Sequence, residues 1–161
     1  MATIEDLVAK DAIADLLARY CRGIDRMDLD MVRDCYHADA TDEHGSFSGT
    51  VGEFLVWVHR LLRKYDATAH HIGRPLIEFT SPTRARSETY GFAVHRSTDG
   101  PPELNLVTGF RYLDVIDQRG GDWRISSRIA TTEWVLPVDE WFPIADRLRT
   151  GSRDRSDPAY G

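Results

Sequence analysis

The chain is expected to fold as one α+β domain, a cone-shaped barrel in which N-terminal helices pack on a curved, mainly antiparallel sheet. Two observations carry that expectation. The apolar period is helical as far as Tyr65 and becomes extended from Ala67 onward. Long extended segments then follow one another across short turns, and strands joined so tightly pair antiparallel, because a parallel pair needs a long crossover. Helices first and strands last is the α+β order, and a bent sheet closing over a long amphipathic helix leaves a hollow.

Thr3, with Asp6 three residues on, is a helix start with acids in its first turn. Ile4, Leu7, Val8, Ala12, Leu16, Leu17, Tyr20 and Cys21 recur at helical spacing, which predicts a helix over residues 4–22 stopped by Gly23. Asp25 then lies just past the helix end, either as a turn or capping aspartate or as a working carboxylate. A second helix is expected over 28–36, a short strand over 40–44, a turn between Gly45 and Gly49, and a third helix over 51–65 with Phe54, Leu55, Val58, Leu61 and Leu62 buried. Strands are expected over 67–79, 84–96, 104–117 and 123–135. The turns between them are marked by Ser81-Pro82-Thr83, Ser97 to Pro102, and Arg119-Gly120-Gly121-Asp122. Residues 1–150 make the domain, and 151–161 read as a polar, flexible tail.

A length of 161 residues fits one domain with a core and a small pocket. A formal net charge of -6 argues against nucleic acid or an anionic membrane as partner. No run approaches membrane-spanning length, and the acidic Met1-to-Asp6 start lacks the apolar stretch of a leader. Cys21 and Cys35 both fall in predicted helices, which gives neither a disulfide framework nor a zinc pattern and points to the cytoplasm.

The stretch with most chemistry is Ala67-Thr-Ala-His70-His71-Ile-Gly73. Side chains alternate along a strand, so one of His70 and His71 faces the helix-covered side and the other faces away. An imidazole in an apolar hollow can move a proton near neutral pH, and a carboxylate beside it fixes its tautomer; Asp25 is the candidate carboxylate. Tyr20, on the apolar side of the first helix, is either core or a hydroxyl that polarises a substrate oxygen. His95 shares its strand face with the small residues Thr89, Gly91 and Ala93, which leave room for a ligand or for close helix packing. Arg128, on an otherwise apolar and small strand, needs an acid or an anion, hence an exposed or interface salt bridge, or a substrate contact. Asp42, Glu43 and His44 lack a metal-ligand spacing and read as a polar strand end. No metal and no cofactor is expected: there is no phosphate-cradling glycine loop, no nucleophile elbow and no spaced His or Cys pair.

Four segments in order, Tyr20-Cys-Arg-Gly-Ile-Asp25, Asp42-Glu-His-Gly45-Ser-Phe-Ser-Gly49, Ala69-His70-His71-Ile-Gly73 and Asp122-Trp123-Arg-Ile125-Ser-Ser-Arg128, resemble the SnoaL-like (polyketide-cyclase-like) branch of the nuclear-transport-factor-2-like superfamily. That branch includes scytalone dehydratase, bile-acid 7α-dehydratase and hexachlorocyclohexane dehydrochlorinase. The resemblance implies a cofactor-free lyase with an Asp–His pair in the cone. It places the aspartate on Asp25 and the histidine on His70, with His71 the alternative. It also implies supporting roles for Tyr20 and His95. Arg74 stands where relatives often have asparagine.

The function expected is therefore a dehydratase or dehydrohalogenase acting on a small, mostly apolar or aromatic molecule, with Asp25, His70, Tyr20 and His95 catalytic and His71 and Arg128 in contact with substrate. An isomerase or cyclase using the same base is the alternative, as is a ligand-binding or assembly module without turnover. A homodimer or homotrimer is expected, with apolar residues such as Leu106 or Val107 on the outer sheet face and Trp134 or Trp141 near an edge.

Overall fold

The computed structural model describes residues 3–160. Helix α1 spans Ile4–Asp25 and opens with a reciprocal capping box: Asp6 N–H donates to Thr3 Oγ1 at 3.1 Å, and Thr3 N–H donates to Asp6 Oδ2 at 2.8 Å. It buries Ile13, Leu16, Leu17, Tyr20, Cys21 and Ile24. Gly23 does not stop the helix but lies within its last turn. A Cβ there would meet Val32 Cγ2 at 2.8 Å and Asp28 O at 3.2 Å, so the glycine lets the second helix approach closely. The stop falls on Met27, at φ 53, where Asp28 N–H reaches Gly23 O and Met27 N–H reaches Ile24 O in a Schellman arrangement. Asp25 is consequently the last helical residue rather than a turn residue.

Helix α2, Leu29–Asp34, is capped by Asp28 and ends before Cys35, so Tyr36 opens strand β1, Tyr36–His44, earlier than the sequence suggests. Strand β2, Phe47–Thr50, turns back and leads into α3, Val51–Leu62, through a second capping box from Thr50 to Glu53. The expected 67–79 strand is two strands, β3 at Ala67–Ile72 and β4 at Leu76–Ser81. Pro75 in the intervening Gly73-Arg74-Pro75 has no N–H to continue a ladder. Both pair antiparallel with β5, Arg84–Arg96, β3 along its second half and β4 along its first. Strands β6, Leu106–Arg119, and β7, Asp122–Pro137, complete the sheet in the order β2-β1-β7-β6-β5-β3. Among the described residues the one parallel pair is β1 with β7, joined through most of the chain instead of a turn.

Helix α1 covers the concave face, where Tyr36, Ala40, Ala93, Phe110, Tyr112, Ile116 and Ile125 join its apolar stripe in the core. The polar segment after residue 150 lies against the ends of α1 and α3. Arg153 donates to the carbonyls of Asp25 (3.2 Å), Leu62 (2.9 Å) and Tyr65 (2.6 Å), and Arg26 donates to Ser152 O and Asp157. No helix of the described residues is long and apolar enough to cross a membrane.

Candidate functional site

The sheet brings His70 under the C-terminal end of α1. His70 Nδ1 lies 2.7 Å from Asp25 Oδ1, and the His70 backbone N–H donates to Asp25 Oδ2 at 2.8 Å. Thr68, on the same inward face of β3, donates its hydroxyl to Asp25 Oδ1 at 3.0 Å. Burial alone would push the Asp25 carboxyl up, but the hydrogen bonds and charge of His70 and the bonds from the His70 backbone and Thr68 outweigh it and hold the carboxyl below its ordinary value. An ionised carboxylate only accepts, so the proton at this contact belongs to Nδ1. In the neutral ring Nε2 then carries the lone pair, and among the described residues it has no hydrogen-bond partner. An imidazole in that tautomer, oriented by a carboxylate, is a general base.

The pair borders an open groove of about 470 Å³ shared with Ala18, Cys21, Arg22, Arg26, His71 and Ile72. On the interior side the His70 ring faces Phe110 at 6.0 Å and His95 at 6.1 Å, and His95 in turn packs on Tyr65 at 4.9 Å. Burial, and the neighbouring His70, push the His95 imidazole down to about 4, so it is neutral at pH 7. Its buried Nδ1 has no protein partner.

Strand alternation turns His71 the other way. Its exposed ring stacks on Phe92 of β5 at 4.9 Å on the outer face, while the residue still borders the groove beside the dyad. Tyr20 is core: it is 1% exposed, and its ring centre lies 4.1 Å from the Arg128 guanidinium, which also lies 3.9 Å from the ring of Tyr112, set edge-to-face against Tyr20. Burial pushes the Tyr20 phenol far above its ordinary value, so it acts as a proton-retaining hydroxyl, not a phenolate. Arg128 is neither exposed nor at an interface. It is fully buried and forks onto Asp114, Nε to Oδ1 at 2.7 Å and Nη2 to Oδ2 at 2.9 Å.

Sequence reasoning missed Thr68 and Asp114, and took Asp42 and His44 for a polar strand end. Asp42 is fully buried and accepts the Tyr36 hydroxyl at 2.6 Å. The signal was present: Tyr36, Ala40, Asp42 and His44 share the even phase of one strand. Among the described residues no group of three His, Cys, Asp or Glu side chains is placed to hold a metal ion.

A family model described as a SnoaL-like domain matches residues 5–129. A search of curated proteins returns no match. Among solved structures, a candidate scytalone dehydratase from Novosphingobium aromaticivorans is 21% identical, with 92% of this chain and 100% of that one aligned at a TM-score of 0.76. LinA is 18% identical over 90% of this chain and 99% of that one, at a TM-score of 0.80. The hexachlorocyclohexane dehydrochlorinase LinA-type3 from Novosphingobium barchaimii is 16% identical over 89% and 99%, at 0.78. Identities this low speak to the fold, which all three share. The family match spans Asp25, His70, Asp114 and Arg128 alike, and on that match the chain belongs to the SnoaL-like domain family.

Proposed function

We propose that the protein is a cofactor-independent lyase that eliminates water or a halide from a small, mostly apolar molecule. The observation that carries the reading is the 2.7 Å contact between Asp25 and His70, which leaves Nε2 free as a base. Nε2 takes a proton from a substrate carbon, the C–H electron pair becomes the new C=C bond, and the leaving group departs from the adjacent carbon with its own pair. When the leaving group is hydroxide, the proton on Nε2 is returned to it as water, so nothing is consumed. Asp25 steadies the imidazolium between these steps, and His95, held neutral, can hydrogen-bond the departing group. The Arg128 guanidinium, fixed against two tyrosine rings, adds positive potential from across the interior.

The structural neighbours named as dehydratase and dehydrochlorinase support elimination as the reaction class. Return of the proton to a different carbon would make the same base an isomerase or cyclase, and solvent deuterium in the product separates the two. The sheet's outer face exposes Tyr90, Phe92, Ile129, Trp134 and Leu136, which supports self-association as a dimer or trimer. The test of the activity is turnover of a panel of β-hydroxy ketones and chlorinated cyclohexanes by wild type and by His70→Gln. Elimination by wild type that falls by about a hundredfold or more in the variant is expected. Equal rates on a confirmed substrate would end the proposal.

A further inference from the structure

The segment after residue 150 spans the same gap that the Asp25–His70 contact bridges. Asp25 is the last residue of α1, and β3, which carries His70, begins at Ala67, just past the turn that follows α3. The Arg153 guanidinium reaches both sides of that gap. Its Nε donates to Asp25 O at 3.2 Å, and its Nη1 donates to Leu62 O at 2.9 Å and to Tyr65 O at 2.6 Å. Arg153 is itself held by what surrounds it in the tail. Arg26 donates to Ser152 O at 2.7 Å, and Asp157 accepts the Ser152 N–H at 2.8 Å and Arg26 at 3.2 Å. Further on, Arg22 donates to Ala159 O at 2.8 Å, and the Tyr160 hydroxyl donates to Asp28 Oδ2 at 3.0 Å. The tail is thus fastened to the end of α1 on both sides of Arg153.

A cation suits this place, because the last carbonyls of a helix lack partners within it and carry partial negative charge. Two helix ends converge here, and a planar guanidinium donates in several directions where an ammonium is a point charge. The carbonyls it holds are close to the chemistry. One belongs to Asp25 itself. Another belongs to Tyr65, whose ring packs on His95 at 4.9 Å, and His95 lies 6.1 Å from His70. Burial lowers the Arg153 guanidinium below its ordinary value while the Asp25 carboxylate pulls the other way, so the two charges act on each other. His70 and Thr68 grip the Asp25 side chain, and Arg153 grips its main chain. With both gripped, the end of α1 cannot turn or slide against β3 without breaking one set of bonds.

We propose that Arg153 is a positioning residue for the Asp25–His70 pair: by tying the ends of α1 and α3 together, it sets the spacing at which Asp25 Oδ1 meets His70 Nδ1. It acts through the Asp25 main chain and the turn that leads into β3. The inference rests on the reading of the pair as a general base. Arg153 lies outside residues 5–129, which the SnoaL-like family model matches, so that match does not cover it.

The test reads the histidine ring directly. Nitrogen NMR of protein labelled at its histidine rings, at about pH 8 where an ordinary imidazole is neutral, would compare wild type with Arg153→Met, Arg153→Lys and Arg155→Met; His70→Gln assigns the signals. Wild type is expected to show His70 as one tautomer with its proton on Nδ1. Arg153→Met should show a mixture of both tautomers. Arg155→Met, which removes a tail contact with Asp28, should keep the wild-type pattern. On a substrate that wild type turns over, Arg153→Met should lower kcat about tenfold and leave KM within about twofold. An unchanged tautomer in Arg153→Met, the same mixture in Arg155→Met, or a raised KM with kcat kept would overturn the proposal. Where Arg153→Met does not fold, Arg153→Lys decides: it keeps the charge without the fork, so a mixture of tautomers supports the proposal and a wild-type pattern overturns it. Equal rates for wild type and His70→Gln, with the single tautomer lost in Arg153→Met, would end the elimination reading and leave the positioning role standing. Turnover that needs His70 but not Arg153 would do the reverse.

Discussion

Asp25 holds His70 at two places at once: one carboxylate oxygen receives the ring Nδ1 and the other receives the backbone N–H of the same residue. The ring is thereby fixed by a carboxylate that is itself anchored to the strand carrying the ring. Replacing the two residues should consequently differ in stability. His70→Ala leaves Asp25 with the backbone N–H and Thr68. Asp25→Asn turns an amide N–H₂ toward a donor and should cost about 1–3 kcal/mol. Urea unfolding of the two variants checks this, and a costlier His70→Ala would contradict it.

His95 makes stability depend on pH. Its imidazole is pushed from 6.5 to about 4 in the folded protein, so between those values the unfolded chain binds more protons than the folded one. Stability is therefore full above pH 6.5 and falls as the pH drops toward 4, by an amount on the order of 3 kcal/mol from this group. The depressed Asp25 carboxyl acts in the same sense at lower pH: its contribution is present above the unfolded carboxylate value and lost as pH falls through the folded one. His95→Asn should flatten the slope between pH 6.5 and pH 4 in denaturant titrations; an unchanged slope would show that His95 is not its source.

Gly23 should not tolerate alanine, although alanine is the better helix former by about 1 kcal/mol. The added Cβ would sit 2.8 Å from Val32 Cγ2 and 3.2 Å from the Asp28 carbonyl and the Val32 nitrogen, two of which are backbone. Gly23→Ala is expected to destabilise by about 1–3 kcal/mol. A rise in melting temperature would mean that α2 shifts freely.

Removing one member of the Arg128–Asp114 pair leaves a buried charge with no counterpart. Arg128→Met should cost about 3–5 kcal/mol, and the double variant Arg128→Met with Asp114→Leu should recover most of it. Equal stability of single and double variants would show that the two side chains do not act as a pair.

The sequence discloses the helices best, because α1 and α3 present unbroken apolar stripes and both open with a capping pair contained in four residues. It discloses the dyad only as far as alternation goes: one histidine of two must face inward, and Asp25 must end up over the sheet once Leu16, Leu17 and Tyr20 are buried. It hides the β3–β4 break, since the apolar run continues through Leu76 and Ile77 past Pro75. It hides the parallel β1–β7 contact, since no local signal marks a pairing between residues far apart in sequence. Arg128 reads as a surface cation because its partner, Asp114, lies on another strand and its aromatic covers, Tyr20 and Tyr112, lie on two different elements.

The parallel seam between β1 and β7 fixes the order in which the molecule can be completed. Asp25, His70 and the β5 residues that back His70 all lie within the first 96 residues, so this pair makes its contact without β7. Strand β1 has only the four-residue β2 as a neighbour until β7 arrives, and Asp42, buried in the finished molecule, stays wet until then. Pairing strands this far apart in sequence raises the contact order, which slows folding. Asp42 therefore reaches its buried place beside β7 only when that last strand docks.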